Sequence, residues 1–238
     1  MSGHRGRYKM GIIVGQKPIV GGGLVFCVDA ANPRSYISGS LDTFNLINPS
    51  ITGSIHNDVD YSFLNAGFWE FDGVDDIINP GTVFTSTTSK TLACWFNPSS
   101  FESGNTRHMV TKWNAGGSKR VIQLNMNNET PIFYISSNGS SFDSISYSTT
   151  ITANNWYYLV GVFDDDNNKL KISLDGGNFV EKSYTAGMLS DSTTNLNIGG
   201  QNDDGSFIGG IAMAQIYNSA LTAEEVLQNY NALKYRFI

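Results

Sequence analysis

Acidic side chains are the residues of this chain whose spacing bears most directly on chemistry. Glu70-Phe71-Asp72 puts two carboxylates two positions apart, on one face of an extended segment. Paired carboxylates of this kind serve glycosidases as nucleophile and acid/base. Here the next residues are Gly73-Val74-Asp75-Asp76, which read as a turn, so the pair is expected to be a solvated strand end without catalysis. The same region reads differently as a cation site. Calcium takes roughly six to eight oxygen ligands, mostly carboxylates and carbonyls on loops. Asp72, Asp75 and Asp76 are the candidate ligands, and calcium is the one cofactor the sequence leaves open. Asp164-Asp165-Asp166 and Asp203-Asp204 are acidic as well, but they have the composition of ordinary hairpin turns.

Other reactive residues form no recognisable constellation. His4, His56 and His108 are scattered, and the chain has no zinc-type His/Cys spacing and no glycine-rich phosphate loop, so surface or packing roles are expected for all three. Cys27 and Cys94 each sit inside an apolar run and read as buried free thiols.

The elements that must position these residues are strands. The 238 residues are 40% hydrophobic and 12% aromatic but only 15% charged, which provides a core and little material for solvated helices. β-type runs recur at 24–29, 68–72, 90–97, 107–113, 119–126, 131–136, 142–147, 156–164, 168–174, 195–199 and 207–217, separated by Asn/Asp/Gly clusters. Leu170, Ile172 and Leu174 alternate with polar neighbours, as in a half-buried strand, whereas Tyr157 to Phe163 is apolar on both faces and suits a central one. So many short strands need two packed sheets or a barrel. Only the segment from Leu221 to Tyr230 reads as a helix. Thr222 and Glu225 form its capping box, and Val226, Leu227 and Tyr230 form a stripe expected to pack on the sandwich edge.

Charge divides the chain. The net charge of −6 gives no long-range attraction for nucleic acid, and no apolar run is long enough for a membrane span or a signal segment, so a soluble chain without export signal is expected. Residues 1–22 nevertheless carry Arg5, Arg7, Lys9 and Lys17 and no acid. With Tyr8, Met10, Ile12, Ile13 and Val14 beside those bases, this basic N-terminal arm is expected to dock on a partner, Arg5, Arg7, Tyr8 and Lys9 making the contact. Gly21-Gly22-Gly23 marks the joint, and the domain is expected over 23–238.

Several segments, in order, carry a resemblance. They are Gly23-Leu24-Val25-Phe26-Cys27-Val28-Asp29-Ala30-Ala31-Asn32-Pro33-Arg34-Ser35-Tyr36, Phe71-Asp72-Gly73, Thr91-Leu92-Ala93-Cys94-Trp95-Phe96, Trp156-Tyr157-Tyr158-Leu159-Val160, Leu174-Asp175-Gly176, Ile198-Gly199-Gly200, and the ending through Arg236-Phe237. Together they resemble the laminin G-like/pentraxin-like domains of the concanavalin A-like lectin superfamily, and the opening and closing segments are most similar to phage-encoded members. Residues 42–56 depart from the pattern by lacking its acid and its tryptophan. The resemblance implies an all-β fold, a two-sheet antiparallel jelly-roll sandwich with one short C-terminal helix. It further implies a non-enzymatic virion structural protein of a tailed bacteriophage, as a capsid-decoration, fibre or tail-associated component. The expected partners are other virion proteins and copies of itself, and a host glycan is an additional candidate. A carbohydrate-binding module recognising surface glycans is the alternative, and a glycosidase of the same superfamily ranks below it.

Overall fold

The computed structural model describes residues 17–101, 106–191, 193–201 and 206–238. Its first eight strands are Leu24–Asp29 (β1), Asp42–Phe44 (β2), Thr52–His56 (β3), Asp60–Ser62 (β4), Phe68–Asp72 (β5), Ile77–Gly81 (β6), Lys90–Pro98 (β7) and Thr106–Lys112 (β8). The remaining strands are Ile122–Asn127 (β9), Thr130–Ile135 (β10), Asp143–Ser146 (β11), Tyr157–Asp164 (β12), Lys169–Leu174 (β13), Val180–Ser183 (β14), Leu196–Ile198 (β15) and Ile208–Tyr217 (β16). A helix, Ala223–Leu233 (α1), follows.

All strand pairs are antiparallel and form two sheets. The first has the order β14-β13-β12-β7-β16-β5-β4, with β1 also pairing to β16; the second has the order β11-β10-β9-β8-β15-β6-β3-β2. The expected sandwich and its C-terminal helix are therefore present. Five strands, β2, β3, β4, β6 and β14, lie outside the runs that hydrophobic pattern picks out. They are short, and apart from β6 largely polar, as in Val180-Glu181-Lys182-Ser183, and they are strands because a neighbour offers a ladder.

One core fills the space between the sheets, with Phe26, Trp69, Phe71, Phe96, Leu124, Phe133, Phe163 and Ile198 among its members. A second lies on the outer face of the first sheet, where Cys27, Trp95, Tyr158, Val160, Met213 and Tyr217 are buried beneath α1 and the C-terminus. Trp95 stacks on Phe237 at 4.3 Å and on Tyr230 at 5.6 Å between ring centroids. So Trp95 and Trp156 do not join the two sheets; they anchor the layer outside the first one.

α1 begins as its sequence indicates, with Thr222 accepting from the Glu225 amide and the Glu225 carboxylate accepting from the Thr222 amide. Its buried stripe differs from the expected one. Val226 and Asn229 are buried while Leu227 is 45% exposed, and α1 lies on the sheet face rather than on the edge. Asn229 earns that place by hydrogen bonding: its Nδ2 donates to the Tyr217 hydroxyl at 2.9 Å, and its Oδ1 accepts from the Val20 amide at 2.7 Å. Residues 18–20, which composition assigns to the arm, thus run along α1, with Ile19 and Val20 against its apolar layer.

Both cysteines are free and buried, and burial pushes the Cys27 thiol up to about 12 and the Cys94 thiol well up too. Two lysines are also fully buried, Lys90 and Lys112, with their ammonium groups 5.7 and 5.6 Å from the centre of the Phe84 ring. Lys90 donates to Ser86 Oγ at 2.7 Å and to the Thr88 carbonyl at 3.0 Å. Burial lowers its pKa to about 8, against a smaller opposing pull from Asp165. The unfolded chain therefore holds this proton up to about pH 10.5 while the native state releases it from about pH 8. Between those values the native state sheds the cost of a buried charge. Urea titrations of wild type and Lys90→Met should show wild type gaining on the order of 2–3 kcal/mol relative to the variant from pH 8 to 10.5. A constant difference across that window would contradict the buried charge.

Candidate functional site

Two places on the sandwich gather polar side chains into an arrangement that could hold a ligand. The first is the rim where β5 of the first sheet crosses to β6 of the second. Gly73 starts this turn at φ +85°, and a Cβ there would fall 2.1 Å from Ile208 Cγ1, so glycine is required. The turn brings Asp72, Asp75 and Asp76 together, with one carboxylate oxygen from each within 4.8 Å of the others. Asp72 Oδ1 accepts from the Val74 amide and Asp76 Oδ2 from the Asp72 amide. Asp76 is buried, and its Oδ1 accepts no hydrogen bond. Burial, ahead of the carboxylates of Asp72, Asp75 and Asp60, pushes Asp76 up to about 6, even though the Asp72 amide pulls the other way. An orphaned carboxylate oxygen beside two exposed carboxylates is a donor set that fits a hard cation.

Among the described residues, Asp164, Asp165 and Asp166 do not form such a set. Asp164 is already engaged, paired with Lys171 at 2.7 Å and accepting from Asn167 Nδ2. It lines a cavity of about 670 Å³ between the β12–β13 turn and the start of α1. Asp203, Asp204 and the arm residues Arg5, Arg7, Tyr8 and Lys9 lie outside the described residues. Glu70 and Asp72 project outward from β5 while Trp69 and Phe71 enter the core, and Glu70 lines neither of the pockets that this section describes.

The second place is the outward face of the second sheet. Strand alternation sends Ile122, Leu124 and Met126 of β9 into the core and Gln123 and Asn125 outward. On β10, Phe133 and Ile135 point in and Tyr134 out. β8 should break this pattern, because His108 and Thr111 are three residues apart. A bulge between His108 and Val110 restores it, pairing His108 with Asn125 and Thr111 with Gln123. A polar row Asn197–Thr111–Gln123–Tyr134 thereby crosses four strands.

Around it lies a pocket of about 200 Å³. Its floor is His108, Gln123 and Asn125, and its wall is Trp113, Tyr134 and Phe142, whose ring centroids lie 5.5 to 6.2 Å apart in edge-to-face geometry. Arg120 stands over Phe142 and donates to the Gly139 and Ser140 carbonyls. Gln201 closes one side. Asn125 and Gln201 are buried, yet Asn125 Nδ2 and Gln201 Oε1 make no hydrogen bond. Burial raises the Tyr134 phenol, keeping it neutral as a donor and acceptor. The described lining residues supply amides, a phenol, an imidazole and a guanidinium beside three aromatic rings, groups suited to binding a ligand that is both polar and apolar. Sequence reasoning placed His108 among packing residues and did not single out this pocket. The alternation of Gln123, Asn125 and Tyr134 with core residues was the available signal.

A profile of the concanavalin A-like lectin/glucanases superfamily matches residues 71–227. The chain belongs to this superfamily, as a lectin-like jelly-roll domain. Among solved structures it is similar to the binding domain of Paraclostridial Mosquitocidal Protein 1, with a TM-score of 0.69 and 13% identity over 88% of this chain and 52% of that one. It is also similar to the Botulinum Neurotoxin Type G receptor binding domain, with a TM-score of 0.65 and 12% identity over 87% and 50%. The binding domain of Botulinum Neurotoxin DC in complex with SialylT gives 0.66 and 11% over 90% and 52%. The chain thus spans about half the length of these structures, which share its fold and are described as binding domains. No match was found among curated proteins.

The rim makes a direct prediction. Ionising Asp76 in its buried position costs on the order of 3 kcal/mol unless a cation compensates. In chelator at pH 7, Asp76→Asn should therefore melt above wild type. Added calcium should raise the melting temperature of wild type but not of the variant, and equal calcium responses would exclude Asp76 as a ligand.

Proposed function

We propose that this chain is a glycan-binding module that holds saccharides in the pocket of Trp113, Tyr134 and Phe142 without cleaving them. The observation that carries the reading is the wall of Trp113, Tyr134 and Phe142 standing beside the amides of Gln123 and Asn125 in one pocket. A pyranose presents hydroxyls around an apolar ring face, so it satisfies the amides and stacks on the aromatics in one pose. Water satisfies only the amides. Superfamily membership and the binding-domain neighbours support recognition.

The opening and closing segments, similar to phage-encoded members, support a place on a tailed-phage particle as a decoration, fibre or tail-associated component. In that setting Arg5, Arg7, Tyr8 and Lys9 dock the domain on another virion protein or on a second copy. Calcium held by Asp72, Asp75 and Asp76 would pin the β5–β6 crossing and so the relative position of the two sheets.

A glycan array probed with and without calcium tests the binding reading, and silence across bacterial polysaccharides and host-type glycans would defeat it. Phe142 is 55% exposed, so Phe142→Ala should leave the fold intact and weaken a positive glycan by about tenfold. The particle reading is tested by mass spectrometry of purified virions, where absence of the chain overturns it. Removing residues 1–16 should leave melting unchanged, because Val20 keeps its bond to Asn229, while lowering incorporation into particles.

A further inference from the structure

We infer that the ligand of this domain is an oligosaccharide that crosses Phe142, with one sugar ring on the Trp113 and Tyr134 side and the adjoining ring in a second pocket beyond it. The inference rests on the glycan-binding reading and deepens it, because it sets the least length of the ligand.

The second pocket measures about 190 Å³ and is lined by Ser137, Ser141, Phe142, Asp143, Tyr184 and Ala186. Phe142 therefore lines both pockets, and the ridge between them is one phenyl side chain. Neither pocket alone reaches the roughly 300 Å³ at which small-molecule sites begin, whereas the two together pass it. Adjoining rings of a glycan are joined through one oxygen atom, so a chain seated on one side of the ridge carries its next ring to the other side.

The ridge is held by the turn that precedes it. The Ser140 and Ser141 amides both donate to Asn138 Oδ1 at 2.9 Å, and the Gly139 amide donates to Ser136 Oγ at 2.9 Å. Arg120, from the first pocket, donates to the Gly139 and Ser140 carbonyls of the same turn. Phe142 follows directly and is 55% exposed. A ring fixed in this way gives up little freedom when sugars close on both sides of it.

The two pockets differ in chemistry. The first offers the amides of Gln123 and Asn125, and the second offers the carboxylate of Asp143, the first residue of β11. Asp143 Oδ1 accepts from Lys182 Nζ of β14 and from the Ser144 amide, which leaves Oδ2 to a ligand hydroxyl. The Lys182 ammonium holds this carboxyl below its usual value, so it stays an anionic acceptor at neutral pH. The Asp143 side chain is 44% exposed, so a ligand reaches it without rearrangement of the fold.

The test is calorimetry on the full chain with glucose, galactose and N-acetylglucosamine, and with cellobiose, maltose, lactose and diacetylchitobiose. At least one disaccharide is expected to bind about tenfold or more tighter than its own component sugars, because its second ring enters as a tethered ligand. The ratio is read on the unaltered protein, so it does not depend on a variant folding. Equal binding of disaccharides and their components would overturn the two-ring assignment while leaving glycan binding in place. No binding by any of these sugars would overturn this inference, and a silent array besides would remove the glycan reading as well. Asp143→Ala breaks only a half-exposed ion pair, and it should shrink the disaccharide ratio by about fivefold. An unchanged ratio in that variant would count against the second pocket as the seat of the second ring.

Discussion

The first sheet has to be buried on both faces, and the rest of the molecule is arranged around that requirement. β7, β12 and β16 carry apolar side chains on each side: Leu92, Cys94 and Phe96 face the second sheet, while Ala93, Trp95, Tyr158 and Val160 face away from it. A large aromatic such as Trp95 left in water would forgo about 2–3 kcal/mol of burial. α1 and the C-terminal residues supply the missing layer. The helix is thus a lid on a sheet rather than an appendage, and the second sheet is left to present polar chemistry.

An ion pair fastens that lid where β1 meets the C-terminal residues. Arg236 Nη1 pairs with Asp29 at 2.7 Å, its Nε donates to the Asn65 carbonyl at 2.6 Å, and its Nη2 donates to the Gly67 carbonyl. Asp29 also accepts from the Ala31 amide, and Asn65 Nδ2 returns a bond to the Arg236 carbonyl. Both members of the pair are mostly buried, so removing one would leave the other charged and dry. Phe237, the next residue, is thereby aimed at Trp95 and Trp156. The opening and closing segments resemble one family together because they are one structural unit.

The polar face of the second sheet follows from the same economy. With the first sheet covered, the outward residues of β8, β9, β10 and β15 can be amides, hydroxyls and a phenol. Their mutual bonds, Thr111 to Gln123 and His108 to Asn125, fix the orientation of these side chains. A pocket preorganised in this way loses little entropy when a ligand enters.

Hydrophobic pattern determined much of this protein by itself. The eleven strong strands, the capping box at Thr222 and the burial of both cysteines follow from local apolar runs and turn residues, since each needs only near neighbours in the chain. The acidic turn at Asp72, Asp75 and Asp76 was legible for the same reason, being five residues long. What tertiary structure decided were properties of pairing. β2, β3, β4, β6 and β14 have no periodic signal and exist because an adjacent ladder accepts them. Whether Trp95 faces the other sheet or the helix depends on which face each sheet turns inward, and alternation alone is symmetric between the two. The pocket lay furthest from reach. Its residues come from positions 106 to 201, and the bulge after His108 shifts the strand register by one, so no spacing in the sequence marks Asn125, Tyr134 and Gln201 as neighbours.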